Sequence, residues 1–203
     1  MPSSSTNSVK VGQFSIETTI VPMKKANQDH SATIVTAADL PKVMIWDGIV
    51  VDRGEIGRIY TADCVPFVLV GEHQALAIHI SRKNIVDMFD TIRTFLPTVK
   101  PTSAYVGPHI CARHFTFSHV GKELESLKQS APGMVRALDN GLTHVDLAAG
   151  IRGFLRGIYI SPLATFFDSR CTYETKELPS YRRCFDTGEP WTESLCTTVS
   201  SLE

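Results

Sequence analysis

The chain has no long hydrophobic run, no excess of either charge, and few cysteines. Its longest uncharged apolar stretch runs from about Cys64 to Gly71. A membrane helix needs ~18–20 such residues, so no spanning segment is expected. Lysine plus arginine total 20 and aspartate plus glutamate 21, giving a net charge of −1. Without a cationic excess to track a phosphate backbone, a nucleic-acid partner is excluded. Five cysteines in 203 residues follow no regular spacing. That excludes a disulfide-stapled miniprotein and reads as reduced thiols in a cytoplasmic protein. Residues 1–10 (MPSSSTNSVK) lack the apolar core of a secretory signal, which agrees with that compartment.

What is present is an ordinary globular composition. With 43% apolar residues the chain can bury a core, and its length suits one domain of ~100–200 residues. A soluble protein with a small-molecule partner is the reading; oligomeric state stays open. The ends, residues 1–10 and 197–203, are rich in Ser and Thr and are expected to be frayed, leaving a domain over 11–196. Val11–Val21, Ser31–Thr36 and Asp47–Asp52 read as strands, the last followed by a turn over Arg53–Gly57. Cys64–Val70 and Ala75–Ile80 are nearly all apolar and read as neighbouring strands buried on both faces. Asn84–Leu96 has helical apolar spacing stopped by Pro97. A short strand at Ala104–Val106, helices over Gly121–Gln129 and Val145–Leu155, and a strand at Ile158–Ile160 follow, with mostly loop from Tyr173. The mixture lacks strict strand–helix alternation, so an α+β fold around one mixed sheet is expected.

Three residues carry chemistry. Cys64 opens an apolar strand, His79 nears the end of the next, and His30 precedes another strand. One thiol and two imidazoles suit zinc, and three protein ligands with an open fourth position describe a catalytic zinc site. The spacing alone fits equally a buried thiol and two hydrogen-bonded histidines. A second His/Cys group, His109, Cys111 and His114, would be split by strand alternation, with His114 on the opposite face. Packing or pocket lining is therefore the expectation there.

The segments TADCVPFVLV and ALAIHI resemble the signature of the YfiH family, also called laccase-domain or multicopper polyphenol oxidase-like proteins. QDHSATIV (28–35), DGIVVD, YVGPHI (105–110), HVDLAAGIRGFL and CTYETKELPSYRR (171–183) resemble further family segments in the same order. The resemblance implies an α+β sandwich of the cysteine-hydrolase type and a zinc held by His30, Cys64 and His79, with copper as an alternative metal. It also implies purine nucleoside phosphorylase activity on adenosine, inosine and methylthioadenosine, with adenosine deamination in some members. Other activities attached to the family are copper-dependent polyphenol oxidation and peptidoglycan editing; Cys64 and His79 also suit a Cys–His amide hydrolase. A family member that holds zinc without catalysis is a further alternative. Arg82, Lys83, Arg182 and Arg183 are candidates to hold phosphate. Asp63 is a candidate proton carrier or a brace for the strand end.

The chain departs from the pattern at His79-Ile80-Ser81-Arg82-Lys83-Asn84, where the family has H-A-G-W-R-G. Lys83 supplies charge without the planar fork of arginine. Thr187-Gly188-Glu189 replaces T-G-R, and the front of the chain reads as short for the family. A divergent member is expected, with its metal trio retained and its substrate changed or its activity weakened.

Overall fold

The computed structural model describes residues 7–23, 28–40, 45–118 and 121–202. The first six residues, part of the expected tail, lie outside the described residues. In chain order the elements are β1 (Asn7–Val11), β2 (Phe14–Pro22), β3 (Ile34–Val35), β4 (Gly48–Asp52), β5 (Ile56–Thr61), β6 (Val65–Val70), β7 (Gln74–Ile80) and α1 (Ile85–Val99). They continue with β8 (Ser103–Val106), β9 (Thr116–Phe117), α2 (Lys122–Ser130), β10 (Val135–Ala137), β11 (Thr143–Val145), α3 (Leu147–Gly157), β12 (Thr165–Phe167), α4 (Tyr181–Thr187) and β13 (Glu193–Ser201).

The α+β class holds, but the single sheet does not. A six-stranded mixed sheet, ordered β12-β8-β6-β7-β4-β3, lies beside a four-stranded antiparallel sheet, β1-β2-β13-β5, with a small third sheet of β10-β11-β9. Strand alternation explains the layering. On β6 and β7, Val65, Phe67, Leu69, Leu76, Ile78 and Ile80 point to one core, which also contains Met88, Ile92, Ile151 and Phe154 of α1 and α3. The intervening Val68, Val70, Ala75 and Ala77 point to a second core with Phe14, Ile16, Ile59 and Val199 of the four-stranded sheet. The central pair is thus buried on both faces, as its apolar runs require.

Several local expectations are corrected. Residues 7–11 are not frayed: they pair with β2 as a hairpin about Gly12, whose φ of +57° suits glycine. Residues 197–201 lie inside β13, which is bonded on one side to β2 and on the other to β5. Its many serines and threonines hide a central strand, because Leu195 and Val199 suffice to anchor its inner face. The turn after β4 is tighter than 53–57, and β5 begins at Ile56. Pro97 does not end α1; it sits in the last turn, and Lys100 closes the helix with its N–H donated to the Leu96 carbonyl. Residues 158–160 form no strand, since Tyr159 takes a φ of +61°. Beyond Tyr173 the chain makes α4 and β13 rather than continuous loop. Asp146 caps α3 by accepting the Ala149 N–H, as its place in the sequence suggests.

Candidate metal and substrate site

The predicted trio meets at a cavity lined by residues of both larger sheets. On β7, His79 follows Ala75 and Ala77 on the face between the sheets. His79 is paired with Pro66 on β6. Cys64 lies two residues before Pro66, so the thiol is a diagonal neighbour of the imidazole. The chain reaches Cys64 by leaving β5 in one sheet and entering β6 in the other, and Asp63 makes that turn with a φ of +82°. His30 arrives on the loop before β3. The ligating atoms of His30, Cys64 and His79 all lie within 4.8 Å of one another.

A residue absent from the sequence-level set orients this group. Asp47, fully buried, stands opposite His79 across the β4–β7 ladder, where its carbonyl accepts the His79 N–H at 2.7 Å. The Asp47 Oδ1 accepts from Nδ1 of the His79 ring, leaving Nε2 for a metal or the thiol. Its Oδ2 accepts from the Ser31 N–H at 2.6 Å and the Ser31 hydroxyl at 3.0 Å, which fixes the residue after His30. Asn84 adds a second tie: its amide donates to the carbonyls of Ser31, at 2.8 Å, and His79, at 3.1 Å. Its side-chain oxygen accepts the Ser81 N–H at 2.8 Å. Thus an Asn–Ser turn joins both histidine segments. The signals available in sequence were an aspartate opening a strand in step with His79 and a polar residue just before a helix.

Electrostatics reinforce the grouping. Burial pushes the Cys64 thiol up, but the charge of His79 and hydrogen bonds from His30 and His79 outweigh it and bring it down to about 7. Burial likewise opposes the His79 imidazolium, yet the Cys64 charge and the Asp47 hydrogen bond raise it to about 10. In the absence of metal, each group thus favours the charged form of the other.

The trio opens into a cavity of about 560 Å³, whose wall includes Phe115, Phe117, Tyr181 and Trp191. Arg82, Lys83 and Arg182 also line it. Arg82 packs 4.8 Å from the centre of the Phe117 ring. The Arg182 guanidinium lies 5.1 Å from the same ring and donates to the Thr116 carbonyl at 2.8 Å. Arg183 is different and lies outside the cavity lining. Its guanidinium collects the carbonyls of Thr172, Tyr173, Thr175, Lys176 and Leu178, holding the loop before α4. Asp63 lines the cavity with both carboxylate oxygens engaged. One accepts the Thr172 hydroxyl and the other the Arg182 N–H, each at 2.6 Å. This arrangement makes Asp63 a brace between the strand end and α4.

The donor set fits a borderline-soft metal such as zinc or copper: one thiol, two imidazoles, one of them oriented by a carboxylate, and an open side toward a cavity. Fold and site together define an α+β sandwich with a three-donor His/Cys centre beneath an aromatic-walled pocket. Residues 9–192 match the family described as multi-copper polyphenol oxidoreductase laccase, and the chain belongs to that family. No curated protein matches the chain. Among solved structures, the Neisseria meningitidis protein NMB0706, of the DUF152 family, is similar with a TM-score of 0.78 at 17% identity, over 98% of this chain and 99% of that one. YlmD from Geobacillus stearothermophilus gives 0.72 at 20% identity, over 88% of this chain and 73% of that one. Bacillus licheniformis YfiH gives 0.71 at 18% identity with the same coverage. These likenesses establish the YfiH-like fold. Among the described residues no helix is long and apolar enough to cross a membrane.

Proposed function

We propose that the protein is a zinc-dependent enzyme of the purine nucleoside phosphorylase type, with adenosine, inosine or methylthioadenosine as substrate class. The observation that carries this reading is the His30–Cys64–His79 group opening into a nucleoside-sized cavity. Phe115, Phe117, Tyr181 and Trp191 offer flat apolar surface to a purine ring. Arg82 and Lys83 supply charge for phosphate, with Arg182 beside them. Asp47 engages Nδ1 of His79 and so leaves Nε2 as the nitrogen for a metal. Zinc, when bound, supplies Lewis-acid polarisation of a substrate oxygen. The test is chromatography of each nucleoside incubated with the protein and phosphate. Free base and pentose phosphate are expected, with both lost in Cys64→Ala together with about one zinc per chain. A zinc-loaded protein that releases no base refutes the phosphorylase reading; conversion of adenosine to inosine would instead mark deamination.

A second reading rests on the Cys64–His79–Asp47 series, in which a low thiol, an imidazole and an orienting carboxylate have the order of a nucleophile, base and positioning group. An amide hydrolase of this kind keeps its activity under chelation and loses it to a thiol alkylator. The zinc enzyme shows loss on chelation. Copper-dependent phenol oxidation, which the family's description suggests, is tested by loading the same site with copper and following a phenol with oxygen.

A further inference from the structure

A second group of side chains of metal-ligating type stands next in sequence to Phe115 and Phe117 of the pocket wall. Cys111 and His114, expected on opposite faces of a strand, are on one side of a tight turn: the N–H groups of His114 and Phe115 both donate to the Cys111 carbonyl at 3.1 Å. Glu174 approaches from the loop before α4, and the three ligating atoms lie within 4.8 Å of one another. His109 does not belong to this group; its Nδ1 donates to the Gly107 carbonyl at 2.8 Å.

The geometry points to Cys111, His114 and Glu174 as a second, structural site for a zinc-class divalent cation. Glu174 Oε1 stands 3.0 Å from His114 Nε2 and 3.7 Å from Cys111 Sγ. Bonds of about 2.0–2.3 Å to a tetrahedral zinc place neighbouring ligand atoms about 3.3–3.7 Å apart. Both separations to Glu174 are therefore close to those a cation needs, and the third lies within 4.8 Å. Arg113 also meets Glu174 Oε1 at 3.0 Å, which holds the carboxylate beside His114; a cation takes over that oxygen from the guanidinium. The His114 ring is stacked on Tyr173 at 4.2 Å, and the Cys111 N–H donates to Cys171 Sγ at 3.2 Å, which fixes both ligand-bearing loops. On binding, the Cys111 thiol gives its proton to solvent, His114 keeps its proton on Nδ1, and thiolate plus carboxylate balance the cation's two charges.

The location says what such a cation would do. Phe115 and Phe117, directly after His114, line the substrate cavity, and Glu174 belongs to the loop that Arg183 holds. A cation here joins the segment that carries Phe115 and Phe117 to that loop. Its existence does not depend on the reaction proposed above.

The test uses the full chain with Cys64→Ala, which removes the thiol of the first site. After stripping with chelator, the protein is titrated with zinc chloride alone and analysed by dialysis and metal content. About one tightly held zinc is expected, weakened at least about tenfold by Glu174→Gln, and zinc should raise the Tm. Cobalt(II) should give a thiolate-to-metal charge-transfer band in Cys64→Ala that vanishes in Cys64→Ala/Cys111→Ser. Circular dichroism confirms that each variant is folded, and the Glu174→Gln change at an exposed side chain guards against misfolding as the cause. Cys64→Ala protein that retains no zinc, or a charge-transfer band that persists without Cys111, overturns the proposal. Neither result bears on whether nucleosides are cleaved, so the two readings fail separately.

Discussion

Replacing Asp47 with asparagine should loosen both halves of the His30–Cys64–His79 site at once. The carboxylate is fully buried and uses one oxygen for the His79 ring and the other for the N–H and hydroxyl of Ser31. An amide keeps the shape but offers one acceptor oxygen. Whichever way that amide turns, one donor, the His79 Nδ1–H or the Ser31 N–H, faces an NH₂ group. Leaving a buried donor unpaired costs about 1–3 kcal/mol, so metal-free Asp47→Asn should unfold at correspondingly lower urea. The outer partner of a metal-bound histidine typically contributes about 10–100-fold in metal affinity, or about 1.4–2.8 kcal/mol. Competition with a chromophoric chelator at neutral pH measures that loss directly. Ser31→Ala, which removes the hydroxyl donor to Asp47 and keeps the N–H, should show a smaller effect. If Asp47→Asn binds zinc within about twofold of wild type, far short of the 10–100-fold expected of an outer partner, and unfolds unchanged, Asp47 does not orient this site.

The remaining predictions test other links. In metal-free protein, Cys64 should react with iodoacetamide with a midpoint near pH 7, because His79 and the hydrogen bonds to the thiol favour thiolate; a midpoint at the ordinary cysteine value of about 8.5 would refute the pair. Burial would raise the Asp168 carboxyl, but hydrogen bonds from Arg170 hold it below the usual range. Its stabilisation is therefore present above about pH 4 and lost as pH falls through its lowered native value. The effect is modest because Arg170 is 39% exposed; Asp168→Asn should flatten the acid limb of a pH–stability curve, and an unchanged limb would refute the link. Gly71→Ala would drive a Cβ into the Val99 carbonyl oxygen, a backbone atom that cannot swing aside. A loss of about 2–4 kcal/mol in urea unfolding is expected, and a neutral substitution would show that the β6–β7 turn does not press on the end of α1. Arg183→Ala should lower stability by about 1–3 kcal/mol, since its guanidinium holds five loop carbonyls. Phosphate dependence should be unaltered; a raised KM for phosphate would return Arg183 to the ligand set.

The parts of the fold legible in sequence are those with strong local signals. β6 and β7 announce themselves as unbroken apolar runs, and α1 and α3 by helical spacing, with Asp146 in place to cap α3. β13 is not legible, because a central strand made of ESLCTTVSS depends on two neighbours supplied from far along the chain. Proximity is equally hidden at the second metal group. Strand alternation would separate Cys111 from His114, and a tight turn brings them back to one side. Arg183 resembles a phosphate ligand because its charge is visible in sequence and the loop carbonyls that consume it are not.

Taken alone, the sequence determined the chemical repertoire: the thiol and two imidazoles, the double-sided central hairpin, and a charge balance that leaves any phosphate to a few local cations. Those are properties of residue type and short-range periodicity. Tertiary structure decided which groups meet. It placed Asp47 behind His79, turned Asp63 from candidate acid into brace, and set Glu174 against Cys111 and His114. Each of these depends on a strand register or loop crossing that brings together residues tens of positions apart, and no local pattern encodes that distance.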